Sequence, residues 1–91
     1  MKQLVKDPNA IFVDVRSEWE FEEEHLPNAL HIPLEEVAFR IPDFRQMDGP
    51  VVLYCRSGAR SGRAEKLLKQ AGLHHVYNGG GLTDLKSILL N

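Results

Sequence analysis

Val51–Ser61, reading VVLYCRSGARS, is the stretch on which the reading of this chain turns. Val51-Val52-Leu53-Tyr54 is an apolar run of β-forming residues that ends on Cys55, the only cysteine. A short polar loop follows, and a helical pattern begins near Ser61. The implied geometry is strand, loop, helix. If the loop curls around the Cys55 sulfur, the backbone N–H groups from Arg56 to Ser61 converge on it, and the next helix adds the positive end of its dipole. Arg56 and Arg60 add formal positive charge. A thiol so placed ionises readily, and the thiolate is the nucleophilic form. A lone cysteine after four apolar residues is by itself most often a small core side chain. The loop decides otherwise, because Arg56, Ser57, Gly58, Ala59, Arg60 and Ser61 form an anion cradle that an inert thiol has no use for.

Upstream, Ala10 to Val15 reads as a strand apolar on both sides, as in a buried parallel sheet. It runs into Asp14-Val15-Arg16, where the period of two puts Asp14 and Arg16 on one face, as a salt bridge, a cap or a border of the Cys55 site. Ser17 is placed to cap a short helix over Glu18 to Glu24, in which the run Glu22-Glu23-Glu24 is a solvated face, with Trp19 and Phe21 expected to pack. His25 leads into the turn Leu26-Pro27-Asn28, and Ala29 to Ile32 is a short strand. Pro33 opens a helix with its stripe on Leu34, Val37, Ala38 and Ile41, and Pro42 is expected to stop it. An irregular connection from Asp43 to Asp48 then reaches Gly49-Pro50.

Downstream, Ala64, Leu67, Leu68 and Ala71 form another apolar stripe that Gly72 closes. His74 to Tyr77 is the next strand, ending in Asn78-Gly79-Gly80-Gly81, either a close backbone approach near the active loop or a plain turn. Thr83 is placed to cap a last helix carrying Leu85, Ile88 and Leu89 inward. This alternation predicts an α/β fold: a four- or five-stranded parallel sheet with helices on both faces and right-handed crossovers.

Ninety-one residues make one domain, 1–91, with room for a single core. Apolar residues at 43%, charged residues at 26% and a net charge of −2 describe an ordinary soluble protein without the basic footprint of a nucleic-acid binder. One cysteine excludes an internal disulfide and a multi-cysteine zinc site, and the histidines lack ligand spacing, so neither metal nor cofactor is expected. No apolar run approaches ~18 residues, and the N-terminus lacks a secretory core. The expectation is a soluble monomer without membrane contact, cytoplasmic as given or periplasmic if a leader has been removed.

Together, Phe12-Val13-Asp14-Val15-Arg16, Glu20-Phe21, His25-Leu26-Pro27-Asn28-Ala29, Ile32-Pro33, Cys55-Arg56-Ser57-Gly58-Ala59-Arg60-Ser61 and Gly79-Gly80-Gly81 closely resemble the rhodanese family in order and spacing. The resemblance runs from residue 10 to the end and is greatest to the small, phage-shock type with a single domain. It implies a thiosulfate sulfurtransferase. Cys55 would take a sulfane sulfur from thiosulfate or another persulfide donor and pass it to cyanide or a thiol. The loop backbone from Arg56 to Ser61 would stabilise the anions, with Arg56 and Arg60 as the electrostatic contributors. Glu24 and Asn28 stand where the family commonly has glycine, and Leu85 where many members have tryptophan. The first edge strand of longer rhodaneses has no counterpart before Asp7, which favours four strands.

Three alternatives share these residues. A sulfur relay to one dedicated acceptor protein uses identical chemistry. A cysteine phosphatase or arsenate reductase also sets a thiolate in a loop ending in arginine, but its signature has one residue more than the four between Cys55 and Arg60. A non-catalytic interaction module has no physical need for an ionised thiol.

Overall fold

The computed structural model describes residues 1–90. Its frame is the apolar run and its neighbours. β3 (Val51–Cys55) is buried along its whole length and lies between β1 (Ile11–Asp14) and β4 (Val76–Gly81). The two-residue edge strand β2 (Leu30–His31) completes a four-stranded parallel sheet in the order β2-β1-β3-β4. Among the described residues four strands form, not five, because residues before β1 fold as the helix α1 (Lys2–Val5). Registers are Ile11 to Val51 through Asp14 to Tyr54, and Val51 to Val76 through Leu53 to Asn78, with Cys55 opposite Gly81.

Alternation along β3 divides the core. Val51, Leu53 and Cys55 pack with Val37, Phe44, Ala64 and Leu68, whereas Val52 and Tyr54 pack with Val5, Leu26, Leu82 and Leu85. One face is therefore covered by the 3-10 helix Leu34–Arg40, α3 (Ile41–Arg45) and α4 (Ala59–Gln70), and the other by α1 and α5 (Leu82–Leu90). A fully buried chain on both faces explains why β3 reads as a continuous apolar run. No helix among the described residues is long and apolar enough to cross a membrane.

Several local expectations change. Leu34–Arg40 winds as a 3-10 helix: Glu36 N–H bonds to Pro33 O, Val37 is buried, and Ala38, which an α-helical stripe would turn inward, is exposed. The helix opened by Pro33 ends at Arg40, just before Pro42, but the stretch expected as an irregular connection from Asp43 begins as helix. Pro42 sits in the first turn of α3, where a missing N–H costs nothing, and Phe44 of that helix is fully buried. At the other end of the chain α5 starts at Leu82, so Thr83 lies inside the helix and is not its cap.

Two glycine-type positions behave as their chemistry requires. α4 ends in a Schellman motif, with Gly72 at φ 92, Gly72 N–H bonded to Lys69 O and Leu73 N–H to Leu68 O. Asn28 takes φ 65, a region asparagine tolerates better than other non-glycine residues. Asn28→Val is expected to cost about 1–2 kcal/mol, read as a lowered denaturant midpoint, whereas Asn28→Gly should not destabilise.

Candidate active site

Going from β1 to β2 the chain steps one way across the sheet, and going from β2 to β3 it crosses back to the other side of β1. The carboxyl ends of β1 and β3 are therefore the switch point where open α/β sheets bind ligands, and Cys55 stands there. The helix after it begins at Ala59, two residues earlier than its apolar stripe suggests, because Gly58 at φ 98 turns the chain at that point. Ala59, Arg60 and Ser61 thus form the first turn, whose amides have no helical partner.

The loop closes on sulfur. Gly58 N–H donates to Cys55 Sγ at 3.0 Å, and Ser61 Oγ lies 3.4 Å from it. Burial pushes the Cys55 thiol up. Hydrogen bonding by the Ser61 hydroxyl and by the backbone of Ser61, Ser57 and Gly58 outweighs burial and brings it down to about 7. Half of the thiol is then ionised near neutrality without help from a histidine.

The arginines divide differently from expectation. Arg60 is held by Glu20, with Nη1 to Oε1 at 2.7 Å and Nη2 to Oε2 at 3.1 Å. Hydrogen bonding to Glu20 is the main cause that raises the Arg60 guanidinium, and Cys55 adds a smaller contribution. Glu20 in turn is brought down to about 2, chiefly by Arg60 and then by Ser17. A paired guanidinium presents little net charge to sulfur, so loop hydrogen bonds carry the stabilisation expected of Arg60. Arg56 is exposed and has no side-chain partner among the described residues. It lines a cleft of about 270 Å³ beside the loop, together with Arg16, Trp19, Glu20, Glu23 and Thr83.

These contacts set a measurable order. Alkylation of Cys55 by iodoacetamide should show an inflection near pH 7, below the free-cysteine value of about 8.5. Ser61→Ala should move it upward more than Arg60→Ala does. The reverse order would return the leading role to the guanidinium.

Asp14 and Arg16 lie on one face as the period of two predicts, and their joint role is structural. Arg16 Nη2 meets Asp14 Oδ2 at 2.6 Å, Arg16 N–H donates to Asp14 Oδ1, and both residues are buried. Arg16 also donates to Glu24 O and lies over the Tyr54 ring at 5.8 Å. Asp14 thereby fixes Arg16, whose guanidinium forms one wall of the cleft. His25 is a local hydrogen bonder: its Nδ1 meets Phe21 O at 2.6 Å, and the Phe21 ring is stacked between His25 and His31.

Three contributors escape a reading of the sequence alone. Glu20 reads from the sequence only as a favourable acidic residue in the first turn of its helix, although Ser17 followed by Glu20 is a capping-box spacing, and Ser17 N–H and Oγ–H both donate to Oε1. Trp19 does not pack. It is 64% exposed on the cleft wall. Asn78 reaches the loop from β4, because Asn78-Gly79-Gly80-Gly81 is strand and not turn, and the glycines allow close approach: a Cβ on Gly81 would lie 2.3 Å from Arg56 O.

Comparison with known proteins adds the following. The rhodanese-like domain family matches residues 1–87. The thiosulfate sulfurtransferase PspE of Escherichia coli is 40% identical over 78 residues, covering 81% of this chain and 72% of that protein. A tRNA uridine(34) hydroxylase of Salmonella newport is 31% identical over 90 residues, 92% of this chain but only 26% of that protein. Among solved structures, a rhodanese with anions from E. coli matches with a TM-score of 0.75 and 38% identity, covering 82% of this chain and 89% of that one. A human single-domain sulfurtransferase matches with a TM-score of 0.74 and 25% identity, covering 94% and 88%.

Proposed function

The chain belongs to the rhodanese-like family as a sulfurtransferase, and from that premise we propose that it draws sulfane sulfur from thiosulfate, or from a persulfide donor, through Cys55 to cyanide or a thiol. The supporting observation is the Cys55 sulfur itself, bonded by Gly58 N–H at 3.0 Å with its thiol lowered to about 7.

In the first half-reaction the Cys55 thiolate attacks the outer sulfur of thiosulfate. An S–S bond forms to Cys55, the bond to the sulfonate sulfur breaks, and its electron pair leaves with sulfite. In the second, cyanide or an acceptor thiolate attacks the outer sulfur of the persulfide, giving thiocyanate or a new persulfide and returning the Cys55 thiolate. The transferred sulfur keeps its oxidation state, so the cycle needs no external oxidant or reductant.

The surroundings support each step. Amides of the loop and of the first turn of α4 face the anionic sulfur, where preorganised donors are worth most. Cys55 is only 1% exposed, which favours small donors over bulky ones. The cleft beside it offers unpaired Arg56 to an anionic donor, and exposed Trp19 gives an acceptor protein a rigid apolar contact. In this reading no nucleic acid or membrane takes part, and the chain works as a monomer with a small-molecule donor.

Ring size gives the test of the reaction class. Four residues between Cys55 and Arg60 close donors around one sulfur and leave little room for a phosphate whose oxygens each need a partner. The protein should form thiocyanate from thiosulfate and cyanide while hydrolysing 4-nitrophenyl phosphate negligibly. Efficient hydrolysis of the aryl phosphate without thiocyanate formation would replace sulfur transfer by phosphatase chemistry.

A further inference from the structure

Behind the active loop, Asn78 of β4 makes four hydrogen bonds, and three of them involve its side-chain amide. Asn78 Nδ2 donates to Gly58 O at 3.0 Å, Gly80 N–H donates to Asn78 Oδ1 at 3.0 Å, and Ser61 Oγ lies 2.7 Å from the same Oδ1. The backbone N–H of Asn78 donates to Glu65 Oε2 at 3.0 Å. A carbonyl only accepts and an amide N–H only donates, so Gly58 O and Gly80 N–H together fix which end of the Asn78 amide is oxygen. The Ser61 hydroxyl beside that oxygen must therefore be the donor.

A hydroxyl has one hydrogen. While Ser61 gives it to Asn78, the 3.4 Å contact between Ser61 Oγ and Cys55 Sγ can be hydrogen-bonded only if the sulfur donates, as a neutral thiol. An ionised Cys55 has no hydrogen to give and needs the one on Ser61. The hydroxyl must then rotate from Asn78 Oδ1 to sulfur, leaving Oδ1 with Gly80 N–H alone. Ser61 is fully buried, so no solvent water stands ready to replace either partner.

We propose that Asn78 is a positioning residue that sets the direction of the Ser61 hydroxyl, holding it away from sulfur in the thiol form and releasing it when Cys55 ionises. The same amide anchors Gly58 through its carbonyl, and Gly58 N–H is the fixed donor to sulfur in both forms. The site then has one constant donor and one that switches with charge. The proposal rests on Cys55 being the reacting sulfur, and its consequence is that the anionic thiolate and persulfide both draw the Ser61 hydrogen.

Other charged groups face this cluster: Arg60 with its partner Glu20, Glu65 from α4, and Asp84 from α5, whose Oδ2 lies beside Gly80 and Gly81. A Cys55→Ser control separates their titration from that of the sulfur. The experiment follows the side-chain amide NMR signals of Asn78 in the wild-type protein between pH 5 and 9. They should move with the same inflection as Cys55 alkylation, and the movement should vanish in Cys55→Ser. Signals that stay fixed while Cys55 ionises would overturn the switch.

A variant gives an independent reading. Asn78→Asp keeps the acceptor for Ser61 but makes it stronger and anionic, so the hydroxyl stays turned away from sulfur. The alkylation inflection should rise by at least one pH unit, roughly a fivefold loss of thiolate at neutrality. That rise should be smaller in a Ser61→Ala background, where no hydroxyl is left to hold; an equal rise in both backgrounds would overturn the proposal. Because these readouts follow ionisation and not sulfur loading, a failure of the switch is distinguishable from a failure of sulfur transfer.

Discussion

Cys55→Ser is expected to fold as the wild type does and to lose at least about a thousandfold in thiocyanate formation. The side chain keeps its shape, and serine at position 55 can accept from Gly58 N–H as sulfur does, so the 3.0 Å bond that orders the loop has a replacement. Chemistry has none. A hydroxyl titrates far above neutrality and forms no persulfide, and no other cysteine exists in the chain to act in its place. Circular dichroism and the denaturant midpoint report the fold, and initial rates with thiosulfate and cyanide report the transfer. Appreciable transfer by the folded variant would remove Cys55 from the mechanism.

Gly81→Ala should produce the second large effect, by a different route. Gly81 is opposite Cys55 in the sheet, and a Cβ there would stand 2.3 Å from Arg56 O and 3.1 Å from its carbonyl carbon. Both obstacles are backbone, so the loop must move. Overpacking of this kind costs about 1–3 kcal/mol of stability. Displacing the loop by ~1 Å takes its donors off the sulfur and should lower kcat/KM for thiosulfate on the order of a hundredfold. Gly72→Ala is the control: its φ of 92 strains any side chain, but nothing lies within 4 Å of the added Cβ and the site is remote. It should lose about 1–2 kcal/mol and keep its transfer rate. Equal transfer losses in the two variants would mean that stability, not loop position, governs the rate.

The strand, the cysteine and its loop were legible because they are local. An apolar run, a glycine and a helical stripe need only their own neighbours to declare themselves, and β3, Gly58 and α4 follow from them. The strand count was legible only as four or five: the residues before Asp7 carry no strand pattern, but the helix they form instead is short and decides the count only once it is docked. Pro42 marks the end of the helix from Leu34, but the helix that follows was not legible, because proline ends one helix and begins another with equal ease and only the burial of Phe44 shows the second.

The glycines at 79 to 81 hid a strand. Without side chains there is no alternation to read, although the sheet uses their bareness to bring β4 against Arg56. Glu20 and Asn78 were hidden by distance along the chain. Glu20 meets Arg60 across 40 residues and Asn78 meets Ser61 across 17, contacts that exist only once α2 (Glu18–Glu23) and β4 are docked at the carboxyl edge of the sheet. Glu22, Glu23 and Glu24 are exposed as a solvated acidic run should be, whereas Glu20, one turn earlier, is drawn in by its tertiary partner. An Asn-Gly pair reads equally as a turn or as a close backbone approach, and only the docking of β4 decides between them.

The central claim, that Cys55 carries the sulfur, is tested most directly by intact mass spectrometry of the protein after brief incubation with thiosulfate and removal of excess donor. One added sulfur atom is predicted, mapped to the peptide containing Cys55, lost on adding cyanide, and absent from Cys55→Ser. An unchanged mass under conditions where thiocyanate is formed, or an added sulfur that persists in Cys55→Ser, would contradict the account.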